Sequence, residues 1–343
     1  MKNKKIIKII ILLLLSSLIL STINSTSVAK KIDKKQIMES YDLDLESFSS
    51  DIIFVDDIEG YDTSGSNPPE DYTSIQDAIK FSDTGDVIFV FKGKYQENIV
   101  IDEQIVLLGE SVESTIIDGN GSSNVVTVTA NSVQISGFTI KNSGEVNSEY
   151  ENSAIDLKSN YNIISNNKLI DNKGNGVMIN SSDYNQILKN LISGNEHGVI
   201  LKYSVNNTVS NNIIRGNQFG VCLFESDDNK VKINLIQDNN VGMCANNASD
   251  NNITSNDFLK NSYGMFINSS SNNLITKNNF VDSVKRKVQF RGFCKNLWDG
   301  NFWNRARLLP KIIFGRAGKL GLIPFFDIDM HPAKSVYIIQ PIF

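Results

Sequence analysis

The chain has 343 residues, and 33 basic against 38 acidic side chains give it a net charge of −5. That balance excludes the basic profile of a nucleic-acid-binding protein. Three Cys are too few for a disulfide framework, and two His, His197 and His331, are too few for a dedicated His metal site.

Residues 1–29 read as a secretory signal peptide. Lys2, Lys4, Lys5 and Lys8 make a basic start, Ile9 to Leu20 is a run of 12 apolar and Ser residues, and Ser27-Val28-Ala29 supplies a cleavage site. A bilayer-spanning helix needs about 20 residues, so cleavage is favoured over anchoring, and no later span follows. The expected mature protein is exported, with no transmembrane segment. Its charge is uneven: 284–343 hold 11 Lys and Arg against three Asp, a net of +8, while 30–283 carry −17. Solubility is the plainest reason for the acid excess.

Residues 30–50 lack a pattern and read as a flexible leader. Residues 51–161 read as an N-terminal cap followed by irregular coils. Ile52 to Val55 is a strand, Asp62 to Asp71 with Pro68-Pro69 is a loop, and Ser74 to Ile79 is a short helix burying Ile75, Ala78 and Ile79. A helix here would cover the open first coil and its unpaired edges. Short β runs follow at Val87–Phe91, Ile99–Ile101, Ile105–Leu108, Thr115–Ile117, Val125–Val128, Val133–Ile135 and Phe138–Ile140.

Residues 162–283 repeat every 22 residues, from Asn185 to Asn207, Asn229, Asn251 and Asn273, with an earlier start at Asn162. Apolar pairs two residues apart, separated by slips in the rhythm, predict three short strands and three bends per coil. That pattern is an all-β, right-handed parallel β-helix. A leucine-rich repeat is the competing reading. It fails because Asn stands where Leu is required and no helical periodicity follows. Asn167, Asn190, Asn212, Asn234, Asn256 and Asn278 share one position, and their amides are expected to form a ladder along the axis. Gly176, Gly198, Gly220, Gly242 and Gly264 mark a bend that a Cβ would hinder.

One outward position is apolar in every coil: Met178, Ile200, Cys222, Cys244 and Phe266. Leu191, Ile213 and Leu235 form a second such column. Contiguous apolar columns on a solvated sheet indicate a covered surface or an interface. The cover would be either the chain after Trp303 or another molecule. Cys222 and Cys244 stack on adjacent coils; a bridge between opposed parallel strands is demanding, which favours two free thiols, with Cys294 the third. Met243 and Met265 also stack, at inward positions where core packing explains them. Sequons at Asn120, Asn180, Asn206, Asn247, Asn252 and Asn268 permit glycosylation without indicating it.

Residues 284–343 form a basic, aromatic tail expected to plug the last coil; sugar rings stacking on Trp298 or Trp303 is the lesser alternative. The segment Gly93-Lys94-Tyr95-Gln96-Glu97-Asn98-Ile99-Val100-Ile101, with Ile116-Ile117-Asp118-Gly119, resembles the opening coils of the pectin-lyase-like superfamily. The Asn-laddered repeat and Asn296-Leu297-Trp298-Asp299-Gly300-Asn301-Phe302-Trp303 resemble NosD-type proteins, and the tail resembles that of archaeal exported β-helix proteins. This resemblance covers roughly 51–303 and implies the fold strongly but an activity weakly. The nearest echoes of polygalacturonase-type motifs, Asp227-Asp228 and Glu196-His197-Gly198, fall in repeat turns, and no Asp column stacks in register. The sequence therefore points to a non-catalytic binding or structural module that contacts carbohydrate or a surface protein, with no cofactor and no metal site. A carbohydrate-active enzyme and a NosD-like copper-associated protein are the alternatives.

Overall fold

The computed structural model describes residues 51–56, 72–145, 151–317 and 323–341. The predicted signal peptide, the leader and the loop at 62–71 lie outside them.

About ten coils stack into a parallel β-helix with almost no α-helix. A typical coil runs through Gln186–Leu188 on a first face, Leu191–Ser193 on a second and His197–Lys202 on a third. Each strand pairs in parallel and in register with its counterpart one repeat on, as in Ile187↔Val209, Ile192↔Ile214 and Val199↔Val221. The inward members of these pairs are buried, which is why the apolar residues recur at fixed positions.

Residues in the left-handed region make the bends. In the coil beginning at Asn185 they are Lys189 (φ 52°), Gly194 (φ 72°), Tyr203 (φ 52°) and Asn206 (φ 58°). Even the β-branched Ile233 is held there at φ 57°. What holds the first corner is the Asn that follows it. Asn212 Nδ2 donates to the carbonyls of Ile187 (2.8 Å) and Ser210 (3.0 Å) and to Asn234 Oδ1 (3.0 Å). Its own Oδ1 accepts the backbone N–H (2.9 Å) and the Nδ2 (3.1 Å) of Asn190. All six ladder residues, Asn167 through Asn278, are fully buried.

Two further Asn ladders run through the other corners. One joins Asn162, Asn185 and Asn207, and continues to Asn296. The other joins Asn172, Asn195, Asn217, Asn239 and Asn261. Ser182, Ser204 and Ser226 form a shorter hydroxyl ladder.

The repeat glycines do a different job from the one the sequence suggests. They lie outside the left-handed set. A Cβ on Gly220 would stand 2.3 Å from Gly242 O and 2.8 Å from Ile236 Cγ2, so the position faces inward against the next coil. Close approach, not backbone freedom, excludes a side chain.

Both ends are closed. Helix α1 (Ile75–Lys80) is capped by Ser74 and buries Ile75, Ala78 and Ile79. Glu97 accepts the N–H groups of Ile75 and Gln76, each at 2.9 Å. Gln76 satisfies the open edge of the first third-face strand: its Oε1 accepts from Val100 N at 2.7 Å and its Nε2 donates to Val100 O at 3.2 Å. At the other end, Lys311–Ala317 and Ile323–Asp329 form an antiparallel hairpin. Phe258, Phe280 and Trp303 stack at 5.0 and 4.7 Å, ending the interior column. Trp298 and Trp303 are buried in this cap, so neither presents its ring on the outer surface of the rod.

Candidate functional site: a strip on the third face

On the third face, Gly198 and Val199 both point inward, so His197 projects outward beside Ile200. Each coil therefore presents three outward side chains. Met178, Ile200, Cys222 and Cys244 form the central strip and are between 0 and 6 % exposed; Phe266 is half-buried. They make an apolar cluster separate from the main core, together with Val241 and the half-buried Phe219, Phe224, Tyr263 and Phe266. The cover over the strip is thus its own flanking columns, not the tail. The tail continues the rod instead, pairing Phe290 with Gly315 and Trp298 with Asp329. Leu191, Ile213 and Leu235, the second apolar column, stay half-buried on the second face.

Cys222 and Cys244 are joined in a disulfide with Cα atoms 4.6 Å apart, which corrects the expectation of two free thiols. In-register neighbours on a parallel sheet fall within the span a disulfide needs, and their outward Cβ vectors run side by side. Cys294 is a free, buried thiol whose pKa is raised by burial.

The strip ends in polar groups. Asp156 pairs with Met178 in the same outward column and is 4 % exposed. Its Oδ2 accepts from Asn124 Nδ2 at 2.9 Å and lies 3.4 Å from Lys158 Nζ, while its Oδ1 is buried without a hydrogen-bond partner. Burial raises the Asp156 pKa, and the charge of Glu151 adds to the rise, against Lys158 and Asn124. Glu151 itself is ion-paired with Lys202. His197 stacks on Phe219 at 4.9 Å, with its Nδ1 2.8 Å from Asn175 Oδ1. Burial, then the charge of Lys202, brings its pKa down to about 4. Three cations lie over rings of the strip and its flanks: Lys202 over Phe224, Lys285 over Tyr263 and Arg291 over Phe266.

Sequence reasoning identified the central column and missed its flanks. The signal was available: aligned at the period, the position before each repeat Gly reads Asn175, His197, Phe219, Val241 and Tyr263. Asp156 was also visible as the one acid in register with the apolar column. His331 lies apart from the strip, 2.8 Å from Asp299.

Residues 110–308 match the NosD family, described as a periplasmic copper-binding protein. The chain belongs to the NosD family. No curated protein matches this NosD-family chain. Among solved structures it is similar to the mannuronan C-5 epimerase AlgE4 A-module of Azotobacter vinelandii, at 16% identity and a TM-score of 0.53, over 66% of this chain and 81% of that one. It is also similar to DFA-IIIase from Arthrobacter chlorophenolicus A6, at 14% identity and a TM-score of 0.52, over 73% of this chain and 86% of that one. The Dettilon tailspike protein shares 14% identity and a TM-score of 0.50, over 73% and 62%. At such identities the shared feature is the parallel β-helix fold. No helix among the described residues is long and apolar enough to cross a membrane.

Proposed function

We propose that this NosD-family protein works outside the cytoplasm as a non-catalytic binding rod, and that the third-face strip contacts carbohydrate at the cell surface. The observation that carries this reading is the row of half-buried rings, Phe219, Phe224, Tyr263 and Phe266, along a rigid apolar strip bordered by Lys and Arg. Sugar rings present apolar C–H faces to aromatics, and the cations suit acidic sugars. A glycan array on the mature protein tests it. Retention of a glycan class by the native protein, lost in Phe219→Ala/Tyr263→Ala, is expected; no retention, or retention unchanged in that variant, refutes it. A partner protein on the same strip would instead appear as a stable complex lost in the same variant.

One observation favours the second reading, a carbohydrate-active enzyme. Asp156 is a carboxyl with a raised pKa at the end of the strip, and the field of a second acid, Glu151, reaches it. Depolymerisation of pectate or another uronate polymer, abolished by Asp156→Asn, would establish that reading.

The described donors do not fit a copper ion. Cys222 and Cys244 are bonded to each other, Met243 and Met265 are sealed in the core, and His197 stands alone. Among the described residues, no group of three His, Cys, Asp or Glu side chains is placed to hold a metal ion.

A further inference from the structure

The last coil breaks the glycine rule. Arg286–Arg291 pairs with the strand below through Tyr263↔Arg286 and Met265↔Val288, which sets Lys287 opposite Gly264. Lys287 thus occupies the register of Gly176, Gly198, Gly220, Gly242 and Gly264, where a Cβ points into the rod. In lower coils the next coil's carbonyl blocks that space, at 2.3 Å from a Cβ on Gly220. Above Lys287 no coil follows in that register, and its side chain lines a cavity of about 360 Å³.

The walls of this cavity include Arg286, Lys287 and Lys311 together with Val288, Trp303 and Ile313. Trp303 has one face against Phe280, at 4.7 Å, and Lys311 Nζ lies over its ring at 5.9 Å. The pKa of Lys311 is lowered, first by burial and then by the charges of Arg307, Lys287 and Arg305. That of Lys287 is also lowered, by burial and Arg307, against an opposing pull from Asp282. Arg307 Nε is buried without a hydrogen-bond partner. Among the described residues none of these five cations takes part in an ion pair. Lys287, Arg307 and Lys311 are half-buried, and cations gathered and partly desolvated without an ion-pair partner destabilise the fold unless an anion joins them.

We infer that the cavity at the C-terminal end of the rod binds an oxyanion, a phosphate or carboxylate group, either free or carried on a small molecule of about sugar size. The cations take the charge, and Val288, Trp303 and Ile313 take the apolar side of the carrier. The cavity is at the small end of the roughly 300–1,000 Å³ typical of ligand sites, which limits the occupant to about one ring. This site lies at the end of the rod, and its fate is separable from that of the third-face strip.

The test is thermal unfolding and calorimetric titration of the protein with inorganic phosphate, D-glucuronate and, as neutral control, D-glucose, at constant ionic strength. Phosphate or glucuronate should raise Tm and release heat, and glucose should do neither. Lys287→Met and Lys311→Met should each raise Tm without ligand, because they remove a half-buried charge that has no ion-pair partner, and should weaken anion binding at least tenfold. A response to phosphate alone identifies a free oxyanion as the source, and a tenfold preference for glucuronate identifies a sugar acid; both support the site. If either variant fails to fold, Arg286→Gln serves in its place. Equal responses to glucose and glucuronate, no response to any anion, or unchanged binding in the variants overturns the inference.

Discussion

Trp303 Nε1 donates to Asp329 Oδ2 at 2.9 Å, and that same oxygen accepts the backbone N–H and the Nδ2 of Asn301, at 3.1 and 3.2 Å. Asp329 thereby stands where the next Asn of the ladder would stand. Asp327 does the same for a second ladder, accepting Asn296 N at 2.8 Å and Trp298 Nε1 at 2.9 Å. Asp329→Leu strands three buried donors, at about 1–3 kcal/mol for each unsatisfied group. Asp329→Asn keeps an acceptor and should lose less. Chemical denaturation of the two variants orders them; equal losses would show that the carboxylate acts only through its charge.

Within the rod, Asn212→Leu leaves Asn190 without its acceptor on the next coil and abandons the carbonyls of Ile187 and Ser210. A loss of about 1–3 kcal/mol is expected. Asn211→Gly, one residue earlier at φ 58°, should be close to neutral because Gly accepts that conformation. An unchanged melting temperature for Asn212→Leu would show that the ladder adds nothing to stability.

The disulfide closes a separation of 22 residues. Replacing both cysteines, Cys222→Ala/Cys244→Ala, should lower stability by about 3 kcal/mol, the scale for a loop of this length. Thiol titration of the denatured protein should find one reactive group, Cys294, before reduction and all three afterwards. Three thiols without reduction would show that the bridge does not form.

The pH response of the strip has a definite sign. His197 titrates near 4 in the folded protein, below the ordinary 6.5, so between these values the unfolded chain holds the extra proton. Its contribution is complete above 6.5 and is lost as pH falls toward 4. Asp156, with a raised pKa, works in the opposite direction at the acid end. The difference between the native protein and His197→Phe, measured by urea denaturation from pH 7 to 4, isolates the histidine. Parallel curves would mean that His197 keeps its ordinary pKa.

The fold was legible because stacking copies each residue's role from coil to coil. A position that is inward once is inward every time, so Val199, Val221 and Met243 declare one another. The ladder of Asn190, Asn212 and Asn234 was readable for the same reason. The ladders through Asn185 and Asn195 were equally regular, yet regularity does not say which Asn turns inward; that depends on the left-handed residue before it. The strip's flanks stayed hidden because Gly198 and Val199 face the same way, and alternation by two misplaces His197. The disulfide was misjudged by weighing opposition of strands over the closeness that exact register brings. Asp327 and Asp329 were illegible, since a hairpin outside the repeat brings them to the ladders.

Every ladder bond points the same way, from one coil to the Oδ1 of the next. At the start, backbone N–H groups of Val133, Phe138 and Ser143 donate to Asn162, Asn167 and Asn172; at the finish, carboxylates receive from two of the three ladders. Only the two ends are specialised, and each middle coil offers its successor what its predecessor offered it. A tandem duplication of 22 codons therefore inserts a unit whose bonding is already complete on both sides. It lengthens the rod by about 4.8 Å and leaves both termini untouched. Reach is thus a quantity that this lineage can change in whole steps by copying, without inventing a new contact.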